Sequence, residues 1–209
     1  MVRYIRIVGV LIVAVLLAAG FSVVQADDFN CSGSLGAVTR DNVYVREGNT
    51  CTMNGTSVEG NIYVERNAVL NASGVRVDGN IQAEDAAQVQ VTGNSIVEGN
   101  IQIFNSGGAQ IVRTEIDGDL QFDDNSQFLS ADNNRIGGNL QAFQNKGGLS
   151  IINNIIDGDL QCKENNPAPT GGNNTVRGDA EDQCSSLSGG QQPPPINLPY
   201  RLYFGAISR

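Results

Sequence analysis

From residue 41 onward the chain alternates short apolar and polar positions, and one phrase returns every coil-length: VEGNIYV at 58–64, VDGNIQA at 77–83, VEGNIQI at 97–103 and IDGDLQF at 116–122. It continues as IGGNLQA at 136–142, IDGDLQC at 156–162 and VRGDAED at 176–182, with Asp41-Asn42-Val43-Tyr44-Val45 as a degenerate first copy. The central glycines, Gly60, Gly79, Gly99, Gly118, Gly138, Gly158 and Gly178, stand 19 or 20 residues apart. Self-similarity at a fixed period of this size means a solenoid, each unit burying its apolar face on its neighbours.

The pattern inside one repeat decides which solenoid. Two residues before each glycine is an aliphatic (Val58, Val77, Val97, Ile116, Ile136, Ile156, Val176), and two and four residues after it apolar side chains flank a polar one, as in Ile81/Ala83 and Ile101/Ile103. That is the strand period of two; no 3.6-residue period is visible. A second apolar column follows about ten residues after each glycine: Cys51, Leu70, Val89, Ala109, Phe128, and Leu149 one place later. Three short strands per coil predict an all-β, single-stranded right-handed parallel β-helix of about 7–8 coils of 19–20 residues. The leucine framework of a leucine-rich repeat is missing.

Equivalent residues of successive coils should stack about 4.8 Å apart. The glycine column is expected to turn a corner with positive φ. The next residue, Asn61, Asn80, Asn100, Asp119, Asn139, Asp159 or Asp179, is expected to bond backbone left open by the corner. Asn134, Asn154 and Asn174 form an inward amide stack, whereas Tyr44, Tyr63 and then Gln82, Gln102, Gln121, Gln141 and Gln161 form an outward row. The segment 165–174, carrying Pro167, Pro169 and Gly171-Gly172, reads as a loop in the last full coil.

Four domains of composition follow. Residues 1–26 read as a Sec-type signal peptide: Arg3 and Arg6, an apolar run over 7–21 that is short of the roughly 20 residues a membrane span needs, then Val24-Gln25-Ala26 before the cleavage point. Residues 27–184 are the β-helix, 185–195 a Ser/Gly/Gln/Pro linker, and 196–209 a C-terminal segment, docked or disordered. No later segment is apolar enough to span a bilayer, so the predicted location is secreted or extracytoplasmic. Export makes disulfides the expected state of Cys31, Cys51, Cys162 and Cys184, which admit three pairings. Separations of 20 and 22 residues, about one coil, favour Cys31–Cys51 and Cys162–Cys184 as staples at the two ends.

Composition narrows the chemistry. The chain has no His, so Ser-His-Asp and Cys-His catalysis are excluded and the commonest metal ligand is missing. The formal charge is −9; removing the signal takes two of the 13 cations and none of the 22 acids, leaving −11, which argues against a nucleic-acid partner. Paired acids recur as D-G-D at Asp117/Asp119 and Asp157/Asp159, a pattern with a faint calcium or glycosidase flavour. Because the equivalent places hold Glu59/Asn61, Asp78/Asn80 and Glu98/Asn100, the column reads as turn chemistry. Arg113 and Arg135 share a face across two coils with no acid cluster attached, and Phe104 and Phe143 occupy one outward or corner position. No catalytic, metal or cofactor residue is assigned, and the chain is read as not an enzyme.

The V/I-x-G-N/D-I/L-Q phrase, together with the passage DLQCKENNPAPTGGNNTV at 159–176, resembles a family of uncharacterised secreted bacterial proteins over roughly residues 31–184. More distantly it is similar to bactofilins, β-helices that polymerise end to end. Neither resemblance implies catalytic residues. The expected function is therefore that of an exported, non-enzymatic β-helical protein, a structural or interaction module at the cell surface or outside the cell. The alternative is a carbohydrate-binding or polysaccharide-cleaving β-helix protein. The partner classes left open are a second copy and a cell-envelope polymer.

Overall fold

The structure is a computed structural model that describes residues 28–189. The expected signal peptide and the C-terminal segment 196–209 lie outside the described residues, as does the linker beyond Gly189. The described chain is all β: three parallel sheets wrap one core as a β-solenoid of about eight turns. Face 1 has nine strands, from Phe29–Asn30 through Ile81–Glu84 and Ile101–Phe104 to Ala180–Asp182. Face 2 has eight, from Gly33–Leu35 through Gln88–Thr92 to Thr170–Gly172, and face 3 has eight, from Thr39–Arg40 through Ser95–Val97 to Thr175–Val176. Register follows the repeat: Ile81 pairs with Ile62 and Ile101, Gln82 with Tyr63 and Gln102.

The inward positions are those the alternation marks. On face 1 Ala83, Ile103, Phe122, Ala142 and Cys162 stack in one buried file, the small Ala142 following the large Phe122 so that the layer volumes balance. On face 3 a single file runs Val58, Val77, Val97, Ile116, Ile136, Ile156. On face 2 the file is Cys51, Leu70, Val89, Ala109, Leu129, Leu149. Phe128 is thus not a core residue. It is 54% exposed, because the corner after Asp124 takes up one extra residue and moves Leu129 into the file.

The three corners are built differently. Between faces 1 and 2, Asn67, Asp85, Asn105, Asp124, Gln144 and Glu164 adopt positive φ; between faces 2 and 3, Gly55, Gly74, Asn94, Arg113, Asn133, Asn153 and Asn173 do. Polar side chains and glycine tolerate that left-handed conformation best. The glycine column, at the corner from face 3 to face 1, does not have positive φ, contrary to expectation. Its glycines are required by crowding. Gly79 N–H donates to Gly60 O at 3.0 Å and Gly99 N–H to Gly79 O at 3.0 Å, and the contact repeats to Gly178. A Cβ on Gly99 would sit 2.5 Å from Asn80 Oδ1 and 2.6 Å from Gly79 O.

The segment expected as a loop at 165–174 keeps the coil path. Asn165 and Asn174 are buried, and Thr170–Gly172 pairs with Ser150–Ile152 on face 2. The closing residues fold over this last coil. Leu187 is buried, its carbonyl accepts from Asn174 Nδ2 at 2.9 Å, and Gly189 N–H donates to Asn174 O at 2.7 Å. Both expected disulfides are present, Cys31–Cys51 and Cys162–Cys184, with Cα separations of 5.5 and 5.3 Å, and no cysteine is free.

Candidate functional site

The polar columns divide into those that hold coils together and one that faces water. At the glycine corner, Oδ1 of each Asn or Asp accepts the backbone N–H of its counterpart in the next coil: Asn61 to Asn80 at 2.8 Å, Asn100 to Asp119 at 2.7 Å, Asp119 to Asn139 at 2.7 Å, Asp159 to Asp179 at 2.8 Å. Only an acceptor oxygen is needed, which is why Asn and Asp interchange along the column. Asp119 and Asp159 of the D-G-D pairs are therefore engaged in this ladder. Asp157 is bound by Arg135 at 3.2 Å and Arg177 at 3.0 Å. Asp117 points to solvent. Among the described residues no group of three or more His, Cys, Asp or Glu is placed to hold a metal ion.

Two ladders are internal. Asn134 and Asn154 are buried and bond from coil to coil: Thr114 N–H donates to Asn134 Oδ1, Asn134 N–H and Nδ2 to Asn154 Oδ1, and Asn154 Nδ2 to Ala131 O at 2.7 Å. The second, Asn125, Asn145 and Asn165, escaped the sequence reading, although its 20-residue spacing was the signal. Ser106 N–H donates to Asn125 Oδ1, and Gln183 Oε1 closes the far end on Asn165 N–H at 2.8 Å.

The outward column of face 1 is the candidate site. Tyr44 and Tyr63 stack with ring centroids 4.9 Å apart, and the Arg46 guanidinium lies over the Tyr44 ring at 4.3 Å. Desolvation, and then the neighbouring Asp28, push the Tyr44 phenol above its ordinary value. Below Tyr63 the glutamines form a side-chain amide ladder, Gln82 donating to Gln102 (3.2 Å), Gln102 to Gln121, Gln121 to Gln141 and Gln141 to Gln161 (each 2.8 Å). The last rung is Gln161 Nε2 donating to Glu181 Oε2 at 3.0 Å. A carboxylate only accepts, so Glu181 fixes the direction of every rung, and the carbonyl pole of the ladder ends on Gln82.

An open groove of about 610 Å³ lies at that pole, lined by Tyr63, Gln82, Glu84, Asp85, Arg66 and Phe104. Phe104 pairs in register with Glu84 above and Asp123 below, and Phe143 with Asp123 from the other side; both rings are half-buried and outward. Arg113 and Arg135 do share a recess, of about 350 Å³, with Glu115 between them in sequence and 4.0 Å from Arg135.

No family model, curated protein or solved structure matches this chain. The two disulfides accord with an oxidising compartment. Among the described residues no helix is long and apolar enough to cross a membrane.

Proposed function

We propose that this chain is an exported, non-catalytic β-helical body, a structural or interaction module at the cell surface or outside the cell. The observation that carries the reading is the engagement of the recurring polar side chains. The corner Asn/Asp column and both internal Asn ladders bond one coil to the next, and the D-G-D acids with partners serve the same frame. Side chains committed to the scaffold are not poised for proton transfer or nucleophilic attack. The stapled ends suit a body that persists in an oxidising space without cellular repair.

The competing reading is a carbohydrate-binding or polysaccharide-cleaving β-helix. A glycan-array screen of the purified mature protein, with and without calcium, joined to sedimentation velocity, separates the two. The module reading expects no sugar signal that depends on Asp117 or Asp157. Specific glycan binding abolished by Asp117→Asn or Asp157→Asn, or release of reducing ends from a bound polysaccharide, would replace it.

A further inference from the structure

The groove at the head of the amide ladder is chemically one-sided. Among the described residues no donor reaches Gln82 Oε1, while Gln82 Nε2 is committed to Gln102. With four further aligned amides behind Gln82, that carbonyl is the negative end of a polarised chain. Glu84 and Asp85 stand beside it. Asp85 is paired with Arg66 at 3.5 Å and Glu65 with Arg46, whereas Glu84 is exposed and has no cationic partner among the described residues. The ring of Phe104 adds an apolar wall, and Arg46 over Tyr44 shows that a guanidinium stacks on this column. Acceptors, acids and aromatic faces together fit a planar cation carried by an aromatic peptide.

The chain holds such a peptide. After Asp182 its only charged residues are Arg201 and Arg209, and Arg201 stands in Pro199-Tyr200-Arg201-Leu202-Tyr203-Phe204. Arg201 is twelve residue steps beyond Gly189, a reach of about 40 Å at ~3.3 Å each. Gly189 stacks one coil step beyond Asn174 and so lies five steps from the coil of Gln82, or roughly 24 Å along the axis at ~4.8 Å a step. The remaining ~16 Å is enough to pass face 3, whose strands are no longer than three residues, about 10 Å.

We infer that the groove on face 1 is the docking site of the chain's own cationic, aromatic segment 196–209, with the Arg201 guanidinium received by Gln82 Oε1 and Glu84. The inference holds whether or not the body binds an external partner.

Trypsin cleavage after Arg201 tests it on the full mature protein, with a free peptide of residues 190–209 as the reference. When reclosing is fast, the cleavage rate follows the undocked population. The expected result is cleavage at least about tenfold slower in the protein than in the peptide, a ratio independent of protein concentration. Glu84→Lys should bring the protein rate close to the peptide rate, and Asp117→Lys, the same charge change away from the groove, should leave it slow. Unchanged thermal midpoints establish that both variants are folded; should Glu84→Lys not fold, Glu84→Gln replaces it. Equal rates in protein and peptide, or protection that Glu84→Lys leaves intact, would overturn the inference. Protection that rises with protein concentration would overturn it too, by assigning the groove to a second copy.

Discussion

A glycine in this chain is needed for one of two reasons, and the two respond differently to a methyl group. At Gly99 the obstacle is the carbonyl and amide of the coil above. Gly99→Ala is expected to cost about 1–3 kcal/mol through forced displacement. Gly36→Ala, with ordinary φ and nothing within 4 Å of the new Cβ, should fall within about 0.5 kcal/mol of the parent in a urea titration. Asp132 offers a second test at this scale. Burial raises its carboxyl above the usual carboxylate range, more than the Ile152 backbone N–H lowers it, and Oδ1 has no partner. A raised folded value means that the unfolded state ionises first, so stability is lost as pH rises through the carboxylate range. Asp132→Asn should therefore raise the thermal midpoint at pH 7, with the gain vanishing below the carboxylate range; a gain that persists at low pH would point to packing.

Among the elements, the internal ladders couple coils that the strands alone would join only by backbone bonds. Asn145 accepts from the N–H and Nδ2 of Asn125 and donates to Phe122 O, all buried. Asn145→Ala leaves those groups unmet and is expected to cost about 2–4 kcal/mol, read from equilibrium unfolding. Asp119→Asn, which keeps the acceptor of the corner ladder, should be close to neutral by the same measurement, within about 0.5 kcal/mol.

These elements also show what a linear text conveys. The three strands per coil, the corner Asn/Asp column, the glutamine row and the cysteine pairs are all one-dimensional recurrences, and 19–20-residue spacing places them without reference to anything else. The reason for the glycines was misread because crowding by a neighbouring coil and a demand for positive φ select the same residue. Phe128 was misplaced because an extra residue in one corner shifts the register, while the glycine spacing lengthens only from 19 to 20, inside the range that the repeat already shows. The groove was hidden for a different reason: Tyr63 and Gln82 share one repeat position but Phe104 stands two residues further along its strand, in register with Glu84, and only stacking brings the two positions together. Glu181, which the sequence reading left out of the row, sets the polarity of the whole row.

At the scale of the molecule, stability is a chain of nearest-neighbour interfaces, so loss begins at the ends. The two disulfides close loops of about one coil, each worth roughly 3 kcal/mol in the chain-entropy model. Replacing Cys162 and Cys184 by Ser should therefore free the last coil before the centre. Hydrogen exchange over 160–184 is expected to lose protection while 81–142 keeps it. Uniform loss across the chain would mean that the solenoid unfolds as a single unit.

The unequal corners carry a consequence for anyone redesigning this scaffold. Two of the three edges of the prism bend through left-handed residues that face outward, and one of them already accommodates an added residue before Leu129 and the proline-bearing stretch after Asn165. The third is a spine in which each glycine amide rests on the carbonyl above. Foreign peptides grafted at the first two edges would be displayed at regular heights along the rod, whereas a single inserted residue in the spine would part the coils on either side of it.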